Sequence, residues 1–356
     1  MPSRHNRTHR RSLHHLVTVF ICLPALLLCP SDAWSIEPGA ESRTADYVAL
    51  LRAVAARDLD ETVRNPDYLA RHFVRPYSRV EARRNSILMK GNFVDVKAFV
   101  GRGALGAYYY VNARTPHFDT VFKQALSEGL DQFVILGAGH DSRSIRFKEQ
   151  LAGSKVFEID LPGTQRQKQR TWARKIGGVA EHVIYVPIDF NTQSLGDVLN
   201  EAGYDPTGKT FFLWEGVTYY IEAQAVDATL RFVAQNSAPG SSIVFDYLLP
   251  RALARQNENR GSRVVRNRAT NWGEPFLFGI EAEDTPAYLA ERGLDSLTDL
   301  GPEELTERYL VRADGTKDGT MVDHWRIVHA RVSGRPPSVK PAAEPKAAEP
   351  KAPPSL

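Results

Sequence analysis

The chain has 356 residues, 42% of them hydrophobic, which is enough for a core and excludes wholesale disorder. Its formal charge of +3 sits in the ends: residues 36–334 carry 37 basic against 39 acidic residues, so the charge balance does not point to nucleic acid. Cys22 and Cys29 are the only cysteines and both lie in an N-terminal apolar run; removing that run excludes a disulfide scaffold, a cysteine zinc site and a thiol nucleophile together.

Arg4, Arg7, Arg10 and Arg11 precede an apolar run from Leu16 to Cys29, which contains Pro24 and is shorter than the ~20 residues a spanning helix needs. Ala33-Trp34-Ser35 then places small residues at the −3 and −1 positions of a cleavage site. Residues 1–35 are therefore predicted to be a secretory signal peptide, with export to the periplasm or medium; the alternative is a membrane anchor through residues 16–29. If the peptide is cleaved, no stable membrane span remains.

Residues 44–57 space Tyr47, Val48, Leu51, Val54 and Ala55 as a helical stripe, and 66–128 read as mostly helical. Thr115-Pro116 has the form of a helix start. Residues 36–130 thus form a predicted helical region. From Gln132 the pattern changes to short apolar strands: 132–136, 155–160, 182–188, 210–214 and 242–247. Helical segments are predicted between them at 142–151, 163–176, 192–202 and 222–236. Such alternation implies an α/β fold with a parallel sheet covered on both faces. Residues 294–300 and 323–332 supply two more strands and complete a domain over 131–334. The last stretch, 335–356, holds seven prolines and the repeat Ala-Ala-Glu-Pro-Lys, and is predicted to be a disordered tail.

In an open parallel sheet, ligands bind beyond the carboxyl ends of the strands. Here the first strand ends in Gly137-Ala-Gly139-His140-Asp141-Ser142, the second in Asp160, the third in Asp189-Phe190 and the fourth in Glu215. Gly137 and Gly139 allow a ligand to approach the backbone. Asp160 stands 21 residues after Gly139, the separation at which a carboxylate takes a ribose diol. Asp189 suits an adenine amino group with Phe190 beside the ring, unless it caps the following helix, a task Thr192 could equally fill. A dinucleotide fingerprint needs glycine where Ser142 stands, and pyrophosphate is disfavoured among carboxylates. A cationic sulfonium with an α-amino group is favoured there, and Arg114 is the candidate for its carboxylate.

Three blocks, Leu136-Gly-Ala-Gly-His-Asp-Ser-Arg143, Phe157-Glu-Ile-Asp-Leu-Pro162 with Lys168, and Leu213-Trp-Glu-Gly-Val-Thr-Tyr-Tyr-Ile221, resemble the leucine carboxyl methyltransferase family, including its bacterial S-adenosylmethionine-dependent branch. Gly-Glu-Pro-Phe at 273–276 resembles a later family segment, and the likeness spans about Thr44 to Val332. It implies a class I methyltransferase (Rossmann-like) fold: a seven-stranded, mostly parallel sheet with helices on both faces and an N-terminal helical cap. It also implies S-adenosyl-L-methionine as cofactor, held by Arg114, Gly137, Gly139, Asp160, Asp189, Phe190 and Glu215, and no metal. The expected partner is a small-molecule methyl acceptor, methylated on a carboxyl or hydroxyl oxygen. His117, His140, Tyr219 and Tyr220 are candidate bases without a residue singled out. Two rival functions are an NAD-dependent oxidoreductase and an exported, catalytically inactive binding protein with the same fold. His140, at a position where the bacterial branch carries an apolar residue, departs from the family pattern.

Overall fold

The computed structural model describes residues 42–334 apart from 77, 105, 179–181, 191 and 255–259. The predicted signal peptide, both cysteines and the Pro-rich tail lie outside the described residues. Helix α1 (Arg43–Ala55) is capped by Ser42, whose Oγ accepts from the Ala45 amide. A 3-10 turn at Ala70–Phe73 follows, then α2 (Arg79–Lys90), α3 (Phe93–Ala104) and α4 (Ala107–Ser127).

Pro116 lies inside α4 rather than at its start. The loss of one backbone donor is outweighed by burial of Tyr108, Tyr110, Val111 and Ala113 on the turns before it. The true start is Gly106, at φ 96°, where a Cβ would lie 2.8 Å from the Val322 amide nitrogen.

Seven strands then alternate with helices: β1 (Gln132–Leu136), α5 (Arg143–Arg146), β2 (Lys155–Asp160), α6 (Pro162–Ile176), β3 (Val183–Pro187), α7 (Leu195–Glu201), β4 (Thr210–Trp214), α8 (Ala223–Gln235) and β5 (Ser242–Leu248). After them come α9 (Arg260–Asn271), α10 (Thr285–Ala290), β6 (Leu294–Leu300), α11 (Pro302–Tyr309) and β7 (Trp325–Val332). Two predicted helices shorten. The one expected over 142–151 keeps only α5, because Phe147 and Leu151 enter the core through turns. The one expected over 192–202 starts at Leu195, and its cap is Ser194 rather than Asp189 or Thr192.

The sheet order is β3-β2-β1-β4-β5-β7-β6, with β7 alone antiparallel to its neighbours. This is the seven-stranded arrangement expected of a class I methyltransferase. Strand residues alternate between two buried clusters. Phe133, Ile135, Phe211 and Leu213 face α1 and α4, while Val134, Leu136, Phe212 and Trp214 face α7 and α8. Both faces are dry, which is why these strands read as continuous apolar runs. Among the described residues, no helix is long and apolar enough to cross a membrane.

Candidate functional site

Strand register sets the site. Ile135 of β1 pairs with Leu213 of β4, Leu136 pairs with Ile159 of β2, and Asp160 pairs with Pro187 of β3. Following each pair past the strand ends brings Asp160, Gly137 and Glu215 into one row along the carboxyl edge, with Asp189 two residues beyond Pro187, the β3 residue of that row. Continuing the Trp214–Phe245 pairing across to β5 puts Asp246 next to Glu215.

The glycine turn has two distinct requirements. Gly137 has φ 61°, and a Cβ there would come within 2.2 Å of a Val217 methyl. Gly139 has φ 37°, but the nearest protein atoms to a Cβ built on it are 3.7 Å away. A Cβ at Gly139 would thus make only ordinary van der Waals contacts, with Ala45 of α1, the Gly137 carbonyl and Asp160, whose Oδ2 accepts from the Gly139 amide. Asp160 Oδ1 also accepts from the Leu161 amide at 2.6 Å. Partial burial pushes the Asp160 carboxyl up to about 6, against the pull of these two donors. Glu158, the other acid of β2, is not available beside it. It is buried in an ion pair with Lys168 at 2.8 Å and accepts from Ser144 at 2.6 Å. Asp189 and Phe190 follow β3, with the Asp189 carbonyl turned into the loop and accepting from Thr192 and Gln193. Phe190 packs on the cluster that holds Val134 and Leu136.

Arg114 is 4% exposed and reaches this row from α4. Its Nε lies 2.9 Å from Glu215 Oε1, and its Nη1 donates to Asp246 Oδ2 at 2.8 Å and to the Tyr219 hydroxyl at 3.2 Å. Glu215 is also gripped by Arg143, 2.8 Å away. Burial raises the Glu215 carboxyl, but Arg143 and Arg114 outweigh it and hold the group below the ordinary carboxylate range. Arg143 in turn meets Asp119 and Asp141, and Arg146 meets Asp119. Charges alternate along this buried chain, so each is compensated.

Asp246 is the residue that sequence reasoning missed. It is fully buried and accepts from Tyr110, Tyr219, Arg114 and the Gly216 amide. The available signal was an acid inside the otherwise apolar run of β5.

Beyond Arg114 opens a cleft of about 490 Å³, part of it open to solvent. It is lined by Tyr47 and Leu51 of α1, Tyr110 and Val111 of α4, Tyr219 and Tyr220, Arg268 of α9, Trp272 just after that helix, and Trp325 of β7. The Arg268 guanidinium lies 4.6 Å over the Tyr47 ring. Burial, then the Asp246 charge, holds the Tyr110 and Tyr219 phenols well above their ordinary range, so both stay neutral. Neither histidine singled out earlier lines the cleft. His117 bonds Tyr309 at 3.0 Å, and burial pushes it down to about 4. His140 is buried against Asp46, at 2.6 Å, and stacks on Phe73. Among the described residues, no cluster of histidine, cysteine and acidic side chains could hold a metal ion.

The turn is ill suited to a pyrophosphate. Ser142 is buried and donates to Asp67 at 2.6 Å, and the Arg143 amide is already given to Asp141 at 2.7 Å.

The sequence profile described as Leucine carboxyl methyltransferase matches residues 45–234. YktD of Bacillus subtilis (strain 168), by name an S-adenosyl-L-methionine-dependent methyltransferase, is 31% identical over 55% of this chain. That match covers 64% of YktD, less than two thirds of its length. A protein of Mycobacterium sp. (strain JLS) with the same kind of name is 32% identical over 75% of this chain and 89% of its own. Among solved structures, an O-methyltransferase family protein from Burkholderia thailandensis superposes with a TM-score of 0.40 at 12% identity, covering 72% of this chain and 61% of that one. The fold assignment rests on the strand order above, not on that superposition.

Proposed function

Since the chain belongs to the leucine carboxyl methyltransferase family and is an S-adenosylmethionine-dependent methyltransferase, we propose that it methylates a carboxyl or hydroxyl oxygen of a small apolar or aromatic molecule held in the cleft. The observation that carries this reading is the row Asp160, Gly137 and Glu215, with Asp189 just beyond it, which opens through Arg114 onto an aromatic-lined cleft.

The residues fit the cofactor. The bare backbone at Gly139 would let a nucleoside approach beside Asp160, whose carboxylate suits the ribose diol. Asp189 and Phe190, which follow β3, would take the adenine. Glu215 supplies negative charge for the α-amino group, and Arg114 meets the methionine carboxylate while remaining braced by Asp246. When bound, the cofactor supplies a methyl group already activated by sulfonium. The chain's own task is to hold the acceptor oxygen in line with it and to exclude water. The aromatic rings of Tyr47, Tyr220 and Trp272 grip the acceptor's apolar body. Tyr219 and Tyr110, neutral and fixed on Asp246, orient rather than deprotonate.

Titration calorimetry with S-adenosylmethionine, its demethylated product and NAD tests the cofactor. Micromolar binding of the first two is expected; binding of NAD alone would sink the reading. Acceptor chemistry is tested by following isotopic methyl transfer to panels of carboxylic acids and phenols. Label released by mild alkali marks an ester, and label that survives marks an ether.

A further inference from the structure

Four of the large apolar side chains exposed on this protein fall within twenty residues. Val80 and Ile87 on α2 are 79% and 61% exposed, and Val94 and Phe99 on α3 are 71% and 55% exposed. On α2 the two apolar residues are seven positions apart, two helical turns on one face. Arg83, Arg84 and Lys90 are exposed beside them, while Asn85 and Leu88 turn inward. The one acid of α2, Glu81, lies 3.7 Å from Arg43. On α3, Lys97 is turned to the body by Asp58 and Asp318, and Arg102 is exposed.

Charge is divided sharply. Residues 79–104 hold six basic and two acidic residues, whereas the rest of 36–334 holds 31 basic against 37 acidic. Exposed apolar side chains with basic residues among them, here Arg83 and Arg84 between Val80 and Ile87, are the pattern of a helix that lies in a membrane interface; Asp95 is the exposed acid of α3.

We propose that the exposed faces of α2 and α3 seat the protein on an anionic lipid surface. Other occupants match the face less well. A second copy apposed through the same face would bring two sets of basic residues together. The terminal segments are themselves basic: residues 1–35 hold four arginines and one acid, and residues 335–356 hold four basic and two acidic residues. The chain also enters the fold beside this face, since Arg43 follows Ser42 and meets Glu81. Helix α3 packs on α9, which carries Arg268 of the cleft.

The test is co-sedimentation of the full chain with vesicles of phosphatidylcholine alone, and of phosphatidylcholine with about 30% phosphatidylglycerol, at low and high salt. The full chain should partition onto the anionic vesicles and leave them as salt rises. Arg83→Glu with Arg84→Glu should weaken partitioning by at least ~25-fold, from about fivefold for each basic residue removed. Ile87→Glu with Val94→Glu should weaken it by at least ~10-fold. Both double variants change exposed side chains outside the cofactor row, so cofactor binding and circular dichroism should match wild type. Equal partitioning onto neutral and anionic vesicles would overturn the proposal. So would wild-type partitioning by either double variant, which would assign binding to the N-terminal run. A wild-type dimer that the apolar double variant dissociates would overturn it as well, by assigning the face to a second copy.

Discussion

Arg114 and Asp246 are 132 positions apart in the chain and meet at 2.8 Å, both shielded from water, at the inner end of the cleft. The pair joins α4 to β5 and fixes the guanidinium next to Glu215. A buried charge that loses its partner is costly, by about 3–5 kcal/mol. Asp246→Asn should therefore lower stability to urea by an amount in that range and weaken S-adenosylmethionine binding. A variant as stable as wild type would show that Glu215 alone compensates Arg114.

Arg114→Lys should damage cofactor affinity nearly as much as Arg114→Ala. Lysine keeps the charge but cannot face Glu215, Asp246 and a planar ligand carboxylate at once. Calorimetry on both variants checks this; recovery of wild-type affinity by lysine would reduce Arg114 to a generic positive charge.

The two glycines should fail in different ways. At Gly137 an added methyl meets both a left-handed φ and Val217, so Gly137→Ala should cost at least ~2 kcal/mol of stability. Val217→Ala in the same chain should recover part of it. At Gly139 the added methyl would take the space beside Ala45 and Asp160 at ordinary contact distance, so Gly139→Ala should fold with only the ~1 kcal/mol cost of the backbone angle. Its cofactor binding should nonetheless collapse, because that space is where the nucleoside belongs. Thermal melts and calorimetry on all three variants separate the two effects.

Asp160 should make cofactor affinity pH-dependent. With the carboxyl raised to about 6, its ionised form accepts from a ribose diol and its protonated form does so poorly. Affinity should fall about tenfold between pH 7 and pH 5, and Asp160→Asn should flatten the profile at the low level. Stability moves the other way. The folded-state pKa lies above the unfolded value, so the folded chain holds the proton more tightly and Asp160 disfavours folding increasingly as pH rises from about 4 to about 6. Asp160→Asn should remove that slope.

Trp272→Ala should raise the acceptor KM about tenfold or more while leaving cofactor affinity unchanged. Trp272 lines the cleft from just after α9 and stacks edge-on with Tyr47 at 5.5 Å, away from the row of strand ends. A matched loss of cofactor affinity would show that the two compartments are one.

The sheet was legible because its strands are buried on both faces and punctuated by glycine and acids, so Gln132–Leu136, Lys155–Asp160 and Thr210–Trp214 could be bounded to the residue. Gly137, Asp160 and Glu215 were legible as strand-end residues, since the period of the chain sets where strands stop. Asp246 was not, because its importance comes from register with Glu215, a property of two strands rather than one. Pro116 misled for the opposite reason. Its local preference for a helix start is real, and tertiary burial of the preceding tyrosines overrides it. The cleft drew on α1, α4, α9 and β7, four elements no local pattern connects.

Glu274 holds the start of α1: its carboxylate accepts from the Ser42 hydroxyl at 2.9 Å and from the Thr44 amide at 3.1 Å. Those residues are separated by 232 and 230 positions, so the clasp cannot form during synthesis until most of the protein has left the ribosome. The helix bearing Tyr47 and Leu51 is made first and fastened last. A nascent chain is thus kept without this clasp for most of its translation. Loss of the chain through Ser42 would remove one of the donors that Glu274 holds and loosen the helix that carries Tyr47 and Leu51 into the cleft.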